Sequence, residues 1–420
     1  MRQRTRVQAG AGPGTSALVP ARARRGQIAR LAAIVLLAAA CSPSSAASAP
    51  DPRTTTEPEP TAQSPAGQVA HEVVTVVRGL SNPWSLAWLP NGDMLVTEQS
   101  GRLRIVRDGE LLAEAVQGVP EVVARGQGGL LDVALHPDFE TNRLLYLSYA
   151  RPREGGGAST GVVRGRLQDD ALVGLEQIWV AQSAGRNHYG SRLAFDAEGY
   201  LYVTAGDRQV SARGGLAELS AHPSQDLSTH YGVVVRLHDD GRIPADNPFV
   251  GRDGALADIY SYGHRNPQGL AFHPETGDLW LNEHGPQGGD EVNLILPGRN
   301  YGWPVVGHGV NYGSGTRIHV DTNREGMEPP VHYWVPSIAP SGLLVYTGDR
   351  FEEWRGSMFV GGLAGQQLAR LSLEGRTVTG EETLVRGMGR IRDVRQGPDG
   401  LIYLVFDSPG MIARLEPAGG

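Results

Sequence analysis

Ala197-Glu198-Gly199, a turn-forming triplet, runs directly into Tyr200-Leu201-Tyr202-Val203, a short apolar stretch rich in strand-forming side chains. The same pairing recurs along the chain. Asn91-Gly92-Asp93 precedes Met94-Leu95-Val96-Thr97, and His136-Pro137-Asp138-Phe139 precedes Leu144-Leu145-Tyr146-Leu147. Pro274-Glu275-Thr276-Gly277-Asp278 precedes Leu279-Trp280-Leu281, and Pro398-Asp399-Gly400 precedes Leu401-Ile402-Tyr403-Leu404. With Met358-Phe359-Val360 the units number six, and no long segment carries a clean helical period. Regular repetition of this kind is the mark of radial sheets, in which each blade buries its faces against its neighbours. The chain therefore reads as all-β, a six-bladed β-propeller over 69–420, at roughly 58 residues per blade with long inserted loops. A pair of β-sandwiches is the competing architecture, but no linker follows Gln68 to divide them.

All 38 basic residues are arginines. Without lysine, Schiff-base chemistry and the phosphate-binding P-loop are excluded, and anions fall to arginine, histidine or backbone N–H groups. Residues 1–41 hold seven arginines and no acid, so removing them takes the formal net charge from −7 to −14. An acidic domain argues against nucleic acid as a partner.

The arginine-bearing stretch ending at Arg30, the apolar run Leu31 to Ala40 and the single cysteine, Cys41, read as a secretory signal. The run is too short to span a bilayer. Leu37-Ala38-Ala39-Ala40-Cys41 resembles a lipoprotein cleavage site, with Cys41 as the lipidated N-terminus; ordinary cleavage nearby is the alternative. Residues 42–68, rich in Ser, Ala, Pro and Thr, read as a disordered, flexible linker. The expectation is a periplasmic or cell-surface lipoprotein that meets the membrane through its lipid anchor alone.

Four polar, glycine-rich segments carry candidate chemistry. Gly185 to Leu193 holds His188 among small residues, where an imidazole can act as a base near neutral pH or simply cap a turn. Gly263 to Gly269 offers Arg265 and Asn266 to an anionic or quinonoid oxygen. Asn282 to Glu291 supplies the carboxylates and backbone carbonyls that calcium prefers, or an acidic turn in solvent. In Gly389-Arg390-Ile391-Arg392-Asp393, strand alternation puts Arg390 and Arg392 on one face. Their mutual repulsion implies a polycarboxylate or a pair of acids between them, unless the strand edge is solvated.

With these segments in view the chain resembles the PQQ-dependent glucose/sorbosone dehydrogenase family, in its soluble aldose sugar dehydrogenase branch. The likeness runs from Leu80 to the C-terminus through GQGGLLDVALHPDF (126–139), GSRLAFD (190–196), GHRNPQGLAF (263–272), EHGPQGGDEVNLI (283–295), NYGWP (300–304), APSGLLVYTGD (339–349) and GRIRDVRQGPDG (389–400). The resemblance implies oxidation of aldoses to lactones by hydride transfer to pyrroloquinoline quinone (PQQ), with His188 as general base and Arg265 stabilising the developing oxyanion. It places Gln127, Arg208, Asn266 and Asp290 at or beside the cofactor, and Arg390 and Arg392 on its three-carboxylate edge. The backbone oxygens of Gly285 and Pro286 would ligate a calcium bound to the quinone, and Glu291 and Tyr301 a second, structural calcium. Electrons would pass to an unidentified acceptor. Ala364 stands where the glucose dehydrogenase branch has a lysine, a position the aldose branch also leaves without one. The alternative is a non-catalytic propeller that binds a protein or glycan. The enzyme reading requires His188, Arg265, Arg390, Arg392 and a metal to gather around one flat, anionic redox molecule at the mouth of the ring.

Overall fold

The structure is a computed structural model that describes residues 69–419; the signal, Cys41 and the linker lie outside the described residues. Strand β1 (His71–Arg78) is followed by six groups of strands. These are β2 (Pro83–Trp88), β3 (Met94–Glu98), β4 (Arg102–Arg107) and β5 (Glu110–Leu111); β6 (Leu130–Leu135), β7 (Leu144–Pro152), β8 (Ala158–Gln168) and β9 (Ala171–Val180); β10 (Leu193–Phe195), β11 (Leu201–Ala205), β12 (Val233–Leu237) and β13 (Ile259–Tyr262). Then come β14 (Pro267–Phe272), β15 (Leu279–Glu283), β16 (Asp290–Ile295) and β17 (His332–Trp334); β18 (Pro340–Val345), β19 (Met358–Gly362), β20 (Gln367–Glu374) and β21 (Thr377–Arg386); and β22 (Arg390–Gln396), β23 (Ile402–Ser408) and β24 (Met411–Pro417). Each group is one antiparallel four-stranded sheet, and β1 completes the sixth by pairing with β24, from His71 opposite Pro417 to Arg78 opposite Met411. The N-terminal strand thus closes the ring against the C-terminal one.

The six turn–strand units of the sequence are the second strands of the six blades, β3, β7, β11, β15, β19 and β23. Four of these, β3, β11, β15 and β19, are buried at every position. A strand covered on both faces reads as a continuous apolar run, which is why these were the legible ones. The turns before them need backbone that side chains resist: Gly92 and Gly199 have φ of 90° and 83°. Among the described residues helix is confined to two short turns, Phe139–Asn142 and Leu216–Ser220, and two single 3₁₀ turns.

The innermost strands β2, β6, β10, β14, β18 and β22 pack on one another around the axis. Below the mouth the axis is plugged by buried charge. Arg192 reaches Asp393 at 2.9 Å and Asp132 at 3.4 Å, and Arg395 reaches the same two carboxylates at 2.8 and 3.0 Å. Ser85 Oγ donates to Asp132 at 2.5 Å and lies 3.1 Å from Asp393. Two cations and two anions balance in a region where an unpaired charge would be costly.

Candidate active site

The loops at the mouth present the candidate residues. His188 lies on the loop between β9 and β10 with φ of 46°, and Arg208 (58°), Gln209 (61°), Ser191 (84°) and Ala339 (51°) share the left-handed conformation around it. Such backbone costs about 1–3 kcal/mol per residue and persists where the surroundings hold it, commonly at functional sites. Here the holding contacts are visible. Gln127 Oε1 accepts from the His188 N–H at 2.7 Å, and Arg208 Nη1 donates to its carbonyl at 3.2 Å. A Cβ on Gly206 would sit 2.3 Å from that same carbonyl, so only glycine lets the two loops meet.

The His188 Nδ1 lies 2.6 Å from Asp207 Oδ1. A carboxylate can only accept, so Nδ1 carries the proton and Nε2 is left with a lone pair. Asp207 is itself fixed by Trp303 Nε1 at 2.8 Å and the Gln209 N–H at 2.8 Å. Burial would raise the Asp207 carboxyl, but the His188 hydrogen bond and charge, with Arg265, pull it below its ordinary value. Burial lowers the His188 imidazole, Asp207 partly offsets this, and Arg265 and Arg208 lower it further. The ring is therefore a neutral base near pH 7. His188, Asp207, Arg265, Trp303 and Tyr312 line a cavity of about 370 Å³.

Arg265 donates to the carbonyls of His284 and Gly285 at 3.0 and 2.6 Å, with its guanidinium 5.2 Å from the Trp303 ring centre. Asn266 Oδ1 accepts from the Gly190 N–H and Gln268 Nε2. Its Nδ2 faces His284 Nδ1 at 3.4 Å, while His284 Nε2 bonds the Pro340 carbonyl at 2.8 Å. Burial first, then the charges of Arg265, Arg392 and His188, hold His284 well below the usual imidazole range. His284 stands on the wall of the second half of the site, with Arg392.

The second half is a cavity of about 390 Å³ lined by Trp84, Gln127, Gln268, His284, Arg390 and Arg392 among others. Arg390 and Arg392 do share a face, and one acid from the paired strand sits between them: Asp407 takes Arg390 Nε at 3.2 Å and Arg392 Nη2 at 3.2 Å. Of the two arrangements expected, a polycarboxylate or a pair of acids, the chain supplies a single acid, leaving a net positive wall. Burial brings Arg392 down to about 10. Arg192 stands 4.3 Å from the Trp84 ring centre, joining the axial charge network to this wall. The single mouth expected from sequence is thus two adjoining cavities: His188 opens to one, and its neighbours Tyr189 and Gly190 line the other.

Three expected cofactor contacts, Asn266, Arg208 and Asp290, lie off the walls of these two cavities. Arg208 is buried against Ser183, Thr160 and the Tyr189 ring, where it supports the His188 loop; burial brings it down to about 10. Asp290 is likewise structural in place: it accepts from the N–H groups of Gly285, Ile338 and Ala339 and from the Ser337 hydroxyl, clamping two mouth loops together. Tyr301 stacks on His264 at 4.6 Å and gives its hydroxyl to the Leu294 carbonyl at 2.6 Å.

Among the described residues no three His, Cys, Asp or Glu side chains cluster as metal ligands. Gly285, Pro286, Glu291 and Tyr301 do line one small recess with Arg265 and Glu283, and the Gly285 carbonyl there is held by Arg265. Glu283 and Glu291 both accept from Asn293 Nδ2 at 3.2 Å, and Asn293 Oδ1 is buried without a partner. Burial and the neighbouring Glu283 push Glu291 up to about 8.

Residues 80–414 match the family model described as "Glucose / Sorbosone dehydrogenase". Aldose sugar dehydrogenase YliI of Escherichia coli is 43% identical over 80% of this chain and 91% of its own length. Quinoprotein glucose dehydrogenase B of Acinetobacter calcoaceticus is 29% identical over 81% and 86%. The PQQ-bound form of aldose sugar dehydrogenase from Streptomyces coelicolor superposes with a TM-score of 0.68 at 29% identity, covering 84% of this chain and 99% of that one.

Proposed function

Because the chain belongs to the glucose/sorbosone dehydrogenase family, we propose that it oxidises aldoses at the anomeric carbon to lactones, with PQQ in the Arg392 cavity and His188 as general base. The observation that carries this reading is the His188–Asp207 pair opening to one cavity while an under-neutralised arginine pair lines its neighbour. A partner-binding propeller has no use for that combination.

PQQ is flat and carries three carboxylates. The wall fits it: two guanidinium groups share one carboxylate, Asp407, and Trp84 offers an aromatic face backed by Arg192. Bound there, PQQ supplies a two-electron acceptor for the hydride that leaves C1 of the sugar. His188 Nε2 takes the proton of the anomeric hydroxyl. Asp207 keeps Nδ1–H oriented and stabilises the imidazolium that forms, as a carboxylate does in other His–Asp pairs. Arg265, on the wall of the same cavity, would stabilise the negative charge that hydride transfer develops at a quinone oxygen.

Calcium suits the recess beside it. Glu283 and Glu291, which share Asn293 Nδ2, border that recess together with the Arg265 side chain and are the carboxylate oxygens it would offer a calcium. Glu291, Tyr301, Gly285 and Pro286 border it; the Gly285 carbonyl accepts from Arg265 at 2.6 Å and would have to leave that partner to reach a cation.

Purified protein given PQQ and calcium should reduce an artificial dye when an aldose is added. Absence of dye reduction across a sugar panel, with the quinone bound by its absorbance, would refute the reading. Export and lipidation at Cys41 belong to the same proposal. Mass spectrometry of the mature N-terminus should find a diacylglyceryl cysteine; an unmodified or uncleaved terminus would refute it.

A further inference from the structure

The oxidation needs only C1 and O1 of an aldose against His188, so the rest of the cavity wall decides which aldose enters. Arg213 lies on that wall with Arg265, Asn311 and Tyr312. It is exposed, and among the described residues its guanidinium makes no ion pair and no side-chain hydrogen bond. The other cation of the wall, Arg265, is committed to the His284 and Gly285 carbonyls. Asp207 is the only carboxylate among the lining residues, and both of its oxygens are taken by His188, Gln209 and Trp303. The cavity therefore holds one guanidinium with all its donors free and no protein anion to satisfy it. A neutral sugar hydroxyl makes weak use of that fork, whereas a carboxylate or phosphate matches it with two parallel charge-assisted hydrogen bonds.

Resting on the sugar-oxidising reading above, we propose that the preferred substrate is an aldose with an anionic group remote from the anomeric carbon. A uronate or a sugar phosphate would be held by Arg213 so that its reducing end meets His188. The chemistry is unchanged and balanced. C1–H leaves as hydride to the quinone, the O1 proton goes to His188 and then to solvent, C1=O forms the lactone, and the anionic group is retained.

The test isolates the sugar from any electron acceptor. Holoprotein with PQQ and calcium is mixed anaerobically with glucose, glucuronate or glucose 6-phosphate, and loss of the quinone absorbance is followed at low ionic strength. At least one anionic aldose should reduce the cofactor with a second-order rate constant about two- to fivefold above that of glucose. In Arg213→Gln, and in 0.5 M salt (about a 4 Å screening length), that advantage should fall to near parity while the glucose rate holds. Anionic aldoses no faster than glucose, or a preference that survives Arg213→Gln, would overturn the inference alone. No reduction by glucose or any other aldose would overturn the oxidation reading and this inference with it.

Discussion

With Nδ1 committed to Asp207, His188 has one nitrogen left for chemistry, and burial with Arg265 and Arg208 keeps it unprotonated in the working pH range. His188→Ala should keep the cofactor and lose turnover by a factor of about 10² to 10⁴, read as kcat with the quinone absorbance intact; full activity would require another base. Asp207→Asn should cost about as much, because an amide can present a donor to Nδ1 and hold the wrong tautomer. The pH dependence follows from the sign of the shift. His188 is active when neutral and its pKa is lowered, so the acid limb of kcat/KM should have its midpoint below the ordinary imidazole value of about 6.5. A limb above pH 7 assigned to this base would contradict the geometry. His188 was legible because a loop histidine among small residues stands out. Asp207 was not, since its partner lies 19 residues away and no local spacing joins two loops of a propeller.

At the scale of strands, period-2 alternation put Arg390 and Arg392 together on β22, and the structure keeps them together. The acid between them comes from β23, where cross-strand register, invisible in either segment alone, decides the neighbour. Arg392→Ala removes one half of the proposed grip. It should raise the PQQ concentration for half-reconstitution by about 10- to 100-fold, the range of a lost charge-assisted pair, with little change in turnover once saturated. An unchanged titration would place the cofactor elsewhere. The second strands of the blades were read correctly because burial on both faces leaves an unbroken apolar run. The edge strands, half solvated and polar, carried no such signal, and neither did Asp290, whose loop-clamping role depends on a segment 47 to 49 residues away.

The whole molecule joins chain ends and blades that are far apart in sequence. Ring closure pairs β1 with β24, and the axial charges tie Ser85 of the first blade to Arg395 of the sixth, 310 residues on. Asp132 holds the buried Arg192 and the half-buried Arg395, and Asp132→Ala should destabilise the fold by about 3–5 kcal/mol in chemical denaturation, since it leaves the buried Arg192 charge short of a partner. A loss under 1 kcal/mol would mean that solvent already reaches the axis. The same network backs Trp84, so the plug of the ring is also the floor of the site. The most direct measurement of the central claim is anaerobic reduction of the PQQ-loaded protein by C1-deuterated and ordinary aldose. The quinone absorbance should bleach with a primary isotope effect of about 2 or more, a slowing worth about 0.4 kcal/mol or more in the barrier, and His188→Ala should bleach far more slowly. Bleaching with no isotope effect and no dependence on His188, or no bleaching at all, would contradict hydride abstraction at this site.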